Sequence, residues 1–248
     1  MCTLSVLPLP DGVLIAMNRD ERRTRPLGGA LTRRRHGDLD IAHPTDVEAG
    51  GTWFGVNSAG LVAAVLNNYA AAASLEPRPR SRGEIPWTLL EQPALEPAWR
   101  ALQRFDLALY RPFRAVLIDQ ERICFAESDG SDWTTWTGPL APWLLVSSGR
   151  TEDEVRAWRA RRFEAFLAQH PERAADPMDA IRRLHFEAHP TRPELGFSMA
   201  RPEARSVSYT EAELRADGVR LRHLEEPPRD YNAARAAQLD RSTVILAP

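Results

Sequence analysis

Two strand-like segments joined by a tight turn open the chain, and they constrain its fold more than any other feature. Cys2–Leu7 is apolar and β-prone, and Val13–Met17 is a continuous apolar run, as expected of a strand covered on both faces. Pro10-Asp11-Gly12 between them is a strong turn signal. The sequence therefore predicts an antiparallel hairpin at the N-terminus.

The register of this hairpin decides which side chains meet Cys2. A turn centred on Pro10 and Asp11 places Cys2 opposite Arg19, whereas a three-residue loop centred on Asp11 places it opposite Asp20. Opposed residues in an antiparallel pair lie about 4.5–5.5 Å apart. Either register thus brings charged groups to the thiol, unless these residues simply form a solvated strand end.

Cys2 also follows the initiator directly, and it is small enough for Met1 to be trimmed. The freed α-amine has an ordinary pKa of about 7.7–8.0 and could act as a base beside the thiol nucleophile. All 32 basic residues are arginine, so that amine would be the only aliphatic amine in the molecule. The alternative is a buried apolar cysteine at the start of a strand.

A second hairpin signal, Asn57-Ser58-Ala59-Gly60, predicts that Asn67 pairs near Gly50. Gly50-Gly51 and Asn67-Asn68 would then lie together at one strand end. An asparagine amide with backbone N–H groups can form an oxyanion hole. The alternative is a glycine bulge with an asparagine turn.

Strand and helix patterns alternate in blocks along the rest of the chain. Such segregation predicts an α+β fold in which helices cover antiparallel sheets. Helical patterns span Arg82–Gln92, Ala94–Leu102, Thr151–Gln169 and Asp176–Phe186, and Leu75–Pro86 resembles a surface loop. Strand patterns span Gly51–Val56, Leu61–Leu66, Phe113–Asp119, Ile123–Glu127, Trp133–Thr137, Leu144–Ser147, Gly196–Met199, Arg205–Leu214 and Val219–Leu224.

Composition excludes several classes of protein. A net charge of −2 and a pI near 6.3 disfavour a nucleic-acid or acidic-membrane partner held by bulk charge. No apolar run approaches the roughly 18 residues of a membrane span. MCTLSVLPLPDG lacks a basic start and a long apolar region, so we do not expect it to be a secretory signal. Two cysteines cannot build a disulfide framework or a four-ligand zinc site, and a cytoplasmic location is expected. The 248 residues are predicted to form one domain, 1–248.

Three segments carry a family resemblance: MCTLSVLPLPDGVLIAMNRDE, GGTWFGVNSAGLVAAVLNNY and MARPEARSVSYTEAEL. In this order they resemble the NRDE-motif family, also called the transport-and-Golgi-organisation-protein-2 family. The resemblance implies an N-terminal-nucleophile (Ntn) hydrolase-like four-layer αββα sandwich, similar to the choloylglycine hydrolase and penicillin acylase branch. Family members have been linked to haem handling and to lipid or acyl-CoA metabolism.

The resemblance also implies site residues. Cys2 matches that branch's nucleophile, Arg19 and Asp20 its arginine and aspartate, and Asn67 its oxyanion-hole asparagine. Arg205 is the best match for a late active-site arginine, with Arg241 a weaker competitor. Ser148 stands where the branch has a second asparagine, and the loss of one oxyanion donor typically costs about 10²–10³ in rate. The remaining binding candidates are Asn18, Gly51, Trp53, Asn68 and Ser148.

The sequence thus predicts an Ntn-type cysteine amidohydrolase or acyltransferase acting on a small non-peptide amide or acyl compound, without a cofactor. The alternative is a non-catalytic carrier of haem or of an acyl-CoA or lipid, and a weaker third reading is a protein-binding scaffold. No metal-ligand cluster is apparent. His185 and His189 could share a helix face, but Pro190 predicts a helix end there. Cys124 is expected to be a core thiol, and Arg156, Arg159, Arg161 and Arg162 to be a solvated helix face.

Overall fold

A computed structural model describes residues 2–71, 76–225 and 231–247. Along the chain the strands are β1 (Cys2–Leu9), β2 (Gly12–Arg22), β3 (Gly29–His36), β4 (Leu39–Thr45), β5 (Phe54–Asn57), β6 (Val62–Asn67), β7 (Phe113–Ile118), β8 (Arg122–Ser128), β9 (Trp133–Pro139), β10 (Trp143–Ser147), β11 (Ala204–Arg215), β12 (Gly218–Leu224) and β13 (Val244–Leu246). The helices are α1 (Glu84–Leu90), α2 (Leu95–Leu102), α3 (Glu152–Leu167), α4 (Pro177–His185) and α5 (Ala233–Arg241).

Within these described residues the strands form two antiparallel sheets. One sheet has six strands in the order β10-β1-β2-β11-β12-β13, and the other has seven in the order β3 to β9. The fold is therefore α+β, as predicted.

Three apolar layers hold the sheets and helices together. One lies between the two sheets, where Leu4 and Ile15 from the hairpin meet Phe54 and Val116 of the other sheet. A second packs α1 and α2 against the seven-stranded sheet, and a third packs α3, α4 and α5 against the six-stranded sheet. The result is the predicted αββα sandwich.

Strand alternation divides the polar residues of the first hairpin between two layers. Successive side chains of a strand point to opposite faces. Cys2 shares the inter-sheet face with Leu4 and Val6, whereas Thr3 and Ser5 contact groups of the helical layer. The same alternation on β2 sends Asn18 toward the helices, away from the face that carries Cys2.

The predicted helices occur, but some other local predictions were wrong. The predicted strand Gly196–Met199 is irregular, while β3, β4, α5 and β13 were not predicted. Thr151, the first residue of a predicted helical pattern, lies just before α3 in a left-handed conformation (φ 47°) and makes no side-chain capping bond. Leu75 lies outside the described residues, and the predicted loop that it begins ends in α1. No helix in the described ranges combines the length and apolar character needed to cross a bilayer.

Candidate active site

The first hairpin has the register of a two-residue turn. Leu9 pairs with Gly12, and Cys2 therefore pairs with Arg19. The alternative register, with Asp20 opposite Cys2, does not occur. On its other side Cys2 pairs with Ser147 of β10, so the nucleophile candidate lies on an interior strand of the sheet.

Cys2 lines a cleft of about 390 Å³. Arg19, Asp20, Trp53 and Asn67, all predicted from the sequence, line the same cleft. Its volume is at the small end of the range of about 300–1,000 Å³ that is usual for ligand pockets. The cleft can therefore hold a small molecule against the thiol.

The Cys2 side chain is 8% exposed. Burial raises the pKa of its thiol, and the nearby Asp20 carboxylate acts in the same direction. The backbone N–H of Asp20 and the charge of Arg19 partly oppose this rise. Because the raised pKa keeps the group a thiol at rest, chemistry at this sulfur needs a proton acceptor.

Arg19 is held in place by a ring and two carboxylates. Its guanidinium lies 4.4 Å from the centroid of the Trp53 ring and 3.6 Å from both Glu21 and Asp46. Arg25 links the same two carboxylates, at 3.0 Å and 2.7 Å. This network fixes the position of Arg19 at the cleft wall.

Asp20 points into a buried polar layer between β2, β11 and α3. The Ser206 hydroxyl donates a 2.5 Å hydrogen bond to its Oδ1, and Arg159 Nη2 lies 3.9 Å from Oδ2. Burial raises the pKa of this carboxyl, whereas the charge of Arg159 lowers it. Arg159 was predicted to lie on a solvated helix face, but it is 1% exposed and also donates to the Gly196 carbonyl at 2.5 Å.

Asn67 closes the site from the seven-stranded sheet. Its Nδ2 donates to the Tyr69 hydroxyl at 2.5 Å, and its backbone carbonyl accepts from the Ser147 hydroxyl at 2.5 Å. The second hairpin is shifted by one residue from the predicted register. Val56 pairs with Val62, and the Asn57 N–H donates to the Leu61 carbonyl at 3.0 Å, which leaves a three-residue loop that contains Gly60 in a left-handed conformation (φ +79°). Extending this register places Asn67 opposite Gly51 instead of Gly50.

Residues 9–188 match the Transport and Golgi organisation 2 family. The chain belongs to this family. The matched range includes the NRDE segment, Asn18–Glu21, and begins after Cys2. No curated protein matches the chain significantly by sequence.

Solved structures of two Ntn hydrolases share the fold of this Transport and Golgi organisation 2 member. The Caenorhabditis elegans ortholog of N-acylethanolamine-hydrolyzing acid amidase has a TM-score of 0.58 and 15% identity, and the match covers 99% of this chain and 100% of that one. A variant of conjugated bile acid hydrolase from Clostridium perfringens has a TM-score of 0.56 and 11% identity, over 91% and 92% of the two chains. The likeness identifies the fold as that of the Ntn hydrolases.

The side chains of the NRDE segment, Asn18–Glu21, contact both the cleft and the helical layer. Arg19, Asp20 and Glu21 line the cleft, but Asn18 does not. Asn18 Nδ2 donates to the carbonyls of His185 and Phe197, at 2.7 Å and 2.8 Å. Asn18 therefore holds the helical layer against β2.

Four other candidates also lie outside the cleft lining. Asn68 donates to the Ser128 carbonyl at 3.1 Å, and Ser148 to the Arg150 carbonyl at 2.7 Å. Arg205, on β11, is paired with Glu21 of β2. The Arg205 Nε is buried without a hydrogen-bond partner among the described residues. Arg241, its weaker competitor, is at the exposed end of α5.

Gly51 contributes by its lack of a side chain. A Cβ at this position would lie 2.4 Å from the carbonyl carbon of Gly83, and the adjacent Thr52 N–H donates to the Gly83 oxygen at 2.9 Å. This close approach fixes residues 77–83 along the cleft. From the sequence this segment was predicted to be a surface loop, and its arginines were not predicted to line the cleft. Their placement at every second position of PRPRSRGE was a signal that could have identified them.

None of the six histidines lines the cleft. His185 is fully buried, with Nδ1 3.1 Å from Asn18 Oδ1 and Nε2 2.6 Å from the Ser5 hydroxyl. Burial, assisted by the charge of Arg159, lowers its pKa to about 3. His189 follows the end of α4, as Pro190 predicted. In the described ranges no group of three or more potential metal ligands is found, and none of the cleft residues is a histidine.

Proposed function

We propose that this protein is an Ntn-type cysteine amidohydrolase or acyltransferase that acts on a small non-peptide amide or related acyl compound. Cys2 is the nucleophile, exposed as the first residue by removal of Met1. The observation that carries the proposal is the presence of Cys2, Arg19, Asp20 and Asn67 around one ligand-sized cleft. The similar structures are an amidase and a bile acid hydrolase, which supports amide chemistry in this fold.

The α-amine of Cys2 is the proton acceptor that the buried thiol needs. As the amine takes the thiol proton, the sulfur attacks the substrate carbonyl and forms a C–S bond. Collapse of the tetrahedral intermediate breaks the C–N bond, and the α-ammonium returns its proton to the departing amine. Water then releases the acid in a hydrolase, whereas a second amine or alcohol takes the acyl group in a transferase.

The surrounding side chains hold this chemistry in place. Arg19 supports the thiolate and the acyl oxygen, and Asp20 orients the α-ammonium. Asn67 stabilises the oxyanion through its amide N–H group. Positive charge behind the site comes from Arg159 and Arg201, both of which act electrostatically on Asp20, and Arg205 adds to it from β11.

A haem carrier, the alternative considered from the sequence, fits this cleft less well. The apolar side chains that line it in the described residues are Trp53, Val65, Pro77 and Pro79, whereas six arginines line the same space. A porphyrin needs a wide apolar slot, and the cleft offers no histidine as an axial ligand. These features favour a small polar substrate.

Intact-mass spectrometry of the purified protein tests the proposal directly. We expect the mass of a chain that lacks Met1, and a neutral-pH acylating thiol probe should then add once, at Cys2. The matched control is Cys124, because burial raises its pKa to about 11. Labelling should survive Cys124→Ala and disappear in Cys2→Ala. Retention of Met1, or equal labelling of both thiols, would contradict the assignment.

A further inference from the structure

The cleft carries more positive than negative charge. Among the described residues that line it are six arginines and three carboxylates. Glu21 and Asp46 pair with Arg19 and Arg25, and Asp20 faces the buried Arg159. The acidic side chains are therefore already engaged on one wall of the cleft.

The opposite wall is the segment 77–83 together with Arg111. Arg80 Nε donates to Glu84 at 2.7 Å, and Arg78 Nη2 lies 3.2 Å from Glu76. Arg82 and Arg111 differ from these two, because their hydrogen bonds go to backbone carbonyls. Arg82 Nη1 donates to Pro112 at 3.0 Å, and Arg111 Nε donates to Glu76 at 2.9 Å.

Neither Arg82 nor Arg111 forms an ion pair with a carboxylate of the described chain. The two guanidiniums also repel each other. Burial lowers the pKa of Arg82, Tyr69 opposes this, and the charge of Arg111 lowers the pKa further. A guanidinium has five N–H donors, and the hydrogen bond that each of these cleft-lining arginines makes to a backbone carbonyl leaves further donors to bind a molecule in the cleft. A partly buried pair of like charges is relieved by an anion placed between them.

We propose that Arg82 and Arg111 form a recognition site for a compact anionic group, a carboxylate or a phosphate, on the substrate. The assignment rests on the proposed function, because it names the substrate class of the same cleft: a small acyl amide or acyl ester whose other end is negatively charged. Arg82 lines the same cleft as Cys2 and interacts electrostatically with its sulfur. One small molecule can therefore place its anionic group at the arginines and its scissile carbonyl at the thiol. The contact of Gly51 with Gly83 holds this wall at a fixed distance from the thiol.

Binding to the Cys2→Ala protein tests this site without turnover. The probes are two pairs of small amides: N-acetylglycine against N-acetylglycinamide, and N-acetyl-2-aminoethyl phosphate against N-acetyl-2-aminoethanol. Titration calorimetry at low ionic strength should show that at least one anion binds about tenfold or more tightly than its neutral partner. The pair with the larger preference identifies the group as carboxylate or phosphate. Equal binding within both pairs, or no binding by any probe, overturns the inference.

Paired substitutions locate the preference. Adding Arg82→Gln and Arg111→Gln to the Cys2→Ala protein should bring the ratio of the anionic probe's affinity to the neutral probe's affinity close to one. Arg104→Gln with Arg161→Gln removes the same charge from two exposed arginines outside the cleft and should leave the ratio intact. If the affinity ratio is unchanged by Arg82→Gln with Arg111→Gln, the proposed site is wrong. Thermal melting must show that this variant and the Arg104→Gln, Arg161→Gln control are both folded. Where the double variant fails to fold, the single variant Arg111→Gln carries the same test.

The two proposals can fail separately. If the anion is preferred but no acyl-enzyme forms at Cys2 in the intact chain, only the proposed chemistry is wrong. If the acyl-enzyme forms and neutral and anionic probes bind alike, only the anion site is wrong.

Discussion

The Ser147 hydroxyl donates a 2.5 Å hydrogen bond to the backbone oxygen of Asn67. Ser147 ends β10, directly opposite Cys2 in the six-stranded sheet, whereas Asn67 ends β6 in the other sheet. This bond therefore ties the two sheets together at the cleft. It also relates the position of the Asn67 amide to that of the thiol.

Removing this tie should weaken both the fold and the site. In Ser147→Ala the half-buried carbonyl of Asn67 loses this donor, which we expect to cost about 1 kcal/mol of unfolding free energy. Acylation of Cys2 by the thiol probe should also slow. Urea denaturation and probe kinetics measure the two effects. Ser131→Ala, in an exposed turn, is the control and should change stability by less than about 0.5 kcal/mol; a Ser147→Ala protein as stable as this control would contradict the role of the bond.

A methyl group at Gly51 should push the arginine-bearing segment away from the cleft. The added Cβ would lie 2.4 Å from the carbonyl carbon of Gly83. The backbone cannot rotate aside as a flexible side chain can. We expect Gly51→Ala to lose about 1–3 kcal/mol of stability and to exchange the Thr52 amide hydrogen faster. In the control, Gly29→Ala, the nearest atom to the new Cβ is an ordinary 3.4 Å away. Similar stability and exchange in the two variants would show that the contact is not restrictive.

The buried pair of Asp20 and Arg159 should show strong coupling. Arg159→Met removes a buried cation from beside the Asp20 carboxylate, together with hydrogen bonds to the Leu195 and Gly196 carbonyls. We expect a loss of about 3–5 kcal/mol. Adding Asp20→Asn should recover part of that loss, because the buried negative charge that Arg159 helps to balance is gone. A double-mutant cycle by chemical denaturation measures the coupling, and simple additivity of the two losses would refute it.

Two buried histidines should make the protein sensitive to acid. Burial lowers the pKa of both His185 and His223 to about 3 in the folded chain. In the unfolded chain each takes a proton near pH 6.5, so the unfolded state binds more protons as the pH falls below that value. Each histidine should therefore cost about 2 kcal/mol of stability at pH 5 relative to pH 7. Urea denaturation at pH 7, 6 and 5 measures this slope; His185→Gln should flatten it, and an unchanged slope would count against the assigned pKa.

Local sequence was sufficient to predict the first hairpin. The turn signal at Pro10-Asp11-Gly12 is adjacent to both strands and left two registers open, of which the two-residue turn, with Cys2 opposite Arg19, occurs. The second hairpin was predicted one residue out of register, because its loop holds three residues, with Gly60 in a left-handed conformation, and not only the two predicted at the centre of the turn.

Contacts between distant segments could not be predicted in this way. Arg159 lies on a helix rich in charge, and only the packing of α3 against β1 and β2 shows that this arginine is buried beside Asp20. The helices α1 and α2 lie between Arg82 and Arg111 in the sequence, so only the tertiary fold brings these arginines to one cleft. The backbone contact of Gly51 with Gly83 also depends on tertiary packing. β3 was missed because three consecutive arginines, residues 33–35, stand where alternating apolar and polar residues would indicate a strand.

The placement of Cys2 on an interior strand, among the residues that line the cleft, has a practical consequence for how this protein is handled. Any polypeptide fused ahead of residue 2 would start within the space that a ligand must enter, and it would convert the amine into an amide. An affinity tag or fluorescent reporter at that end should silence the chemistry while leaving the fold intact. The same tag placed after β13 avoids the cleft, so comparing the two fusions offers an inexpensive first experiment.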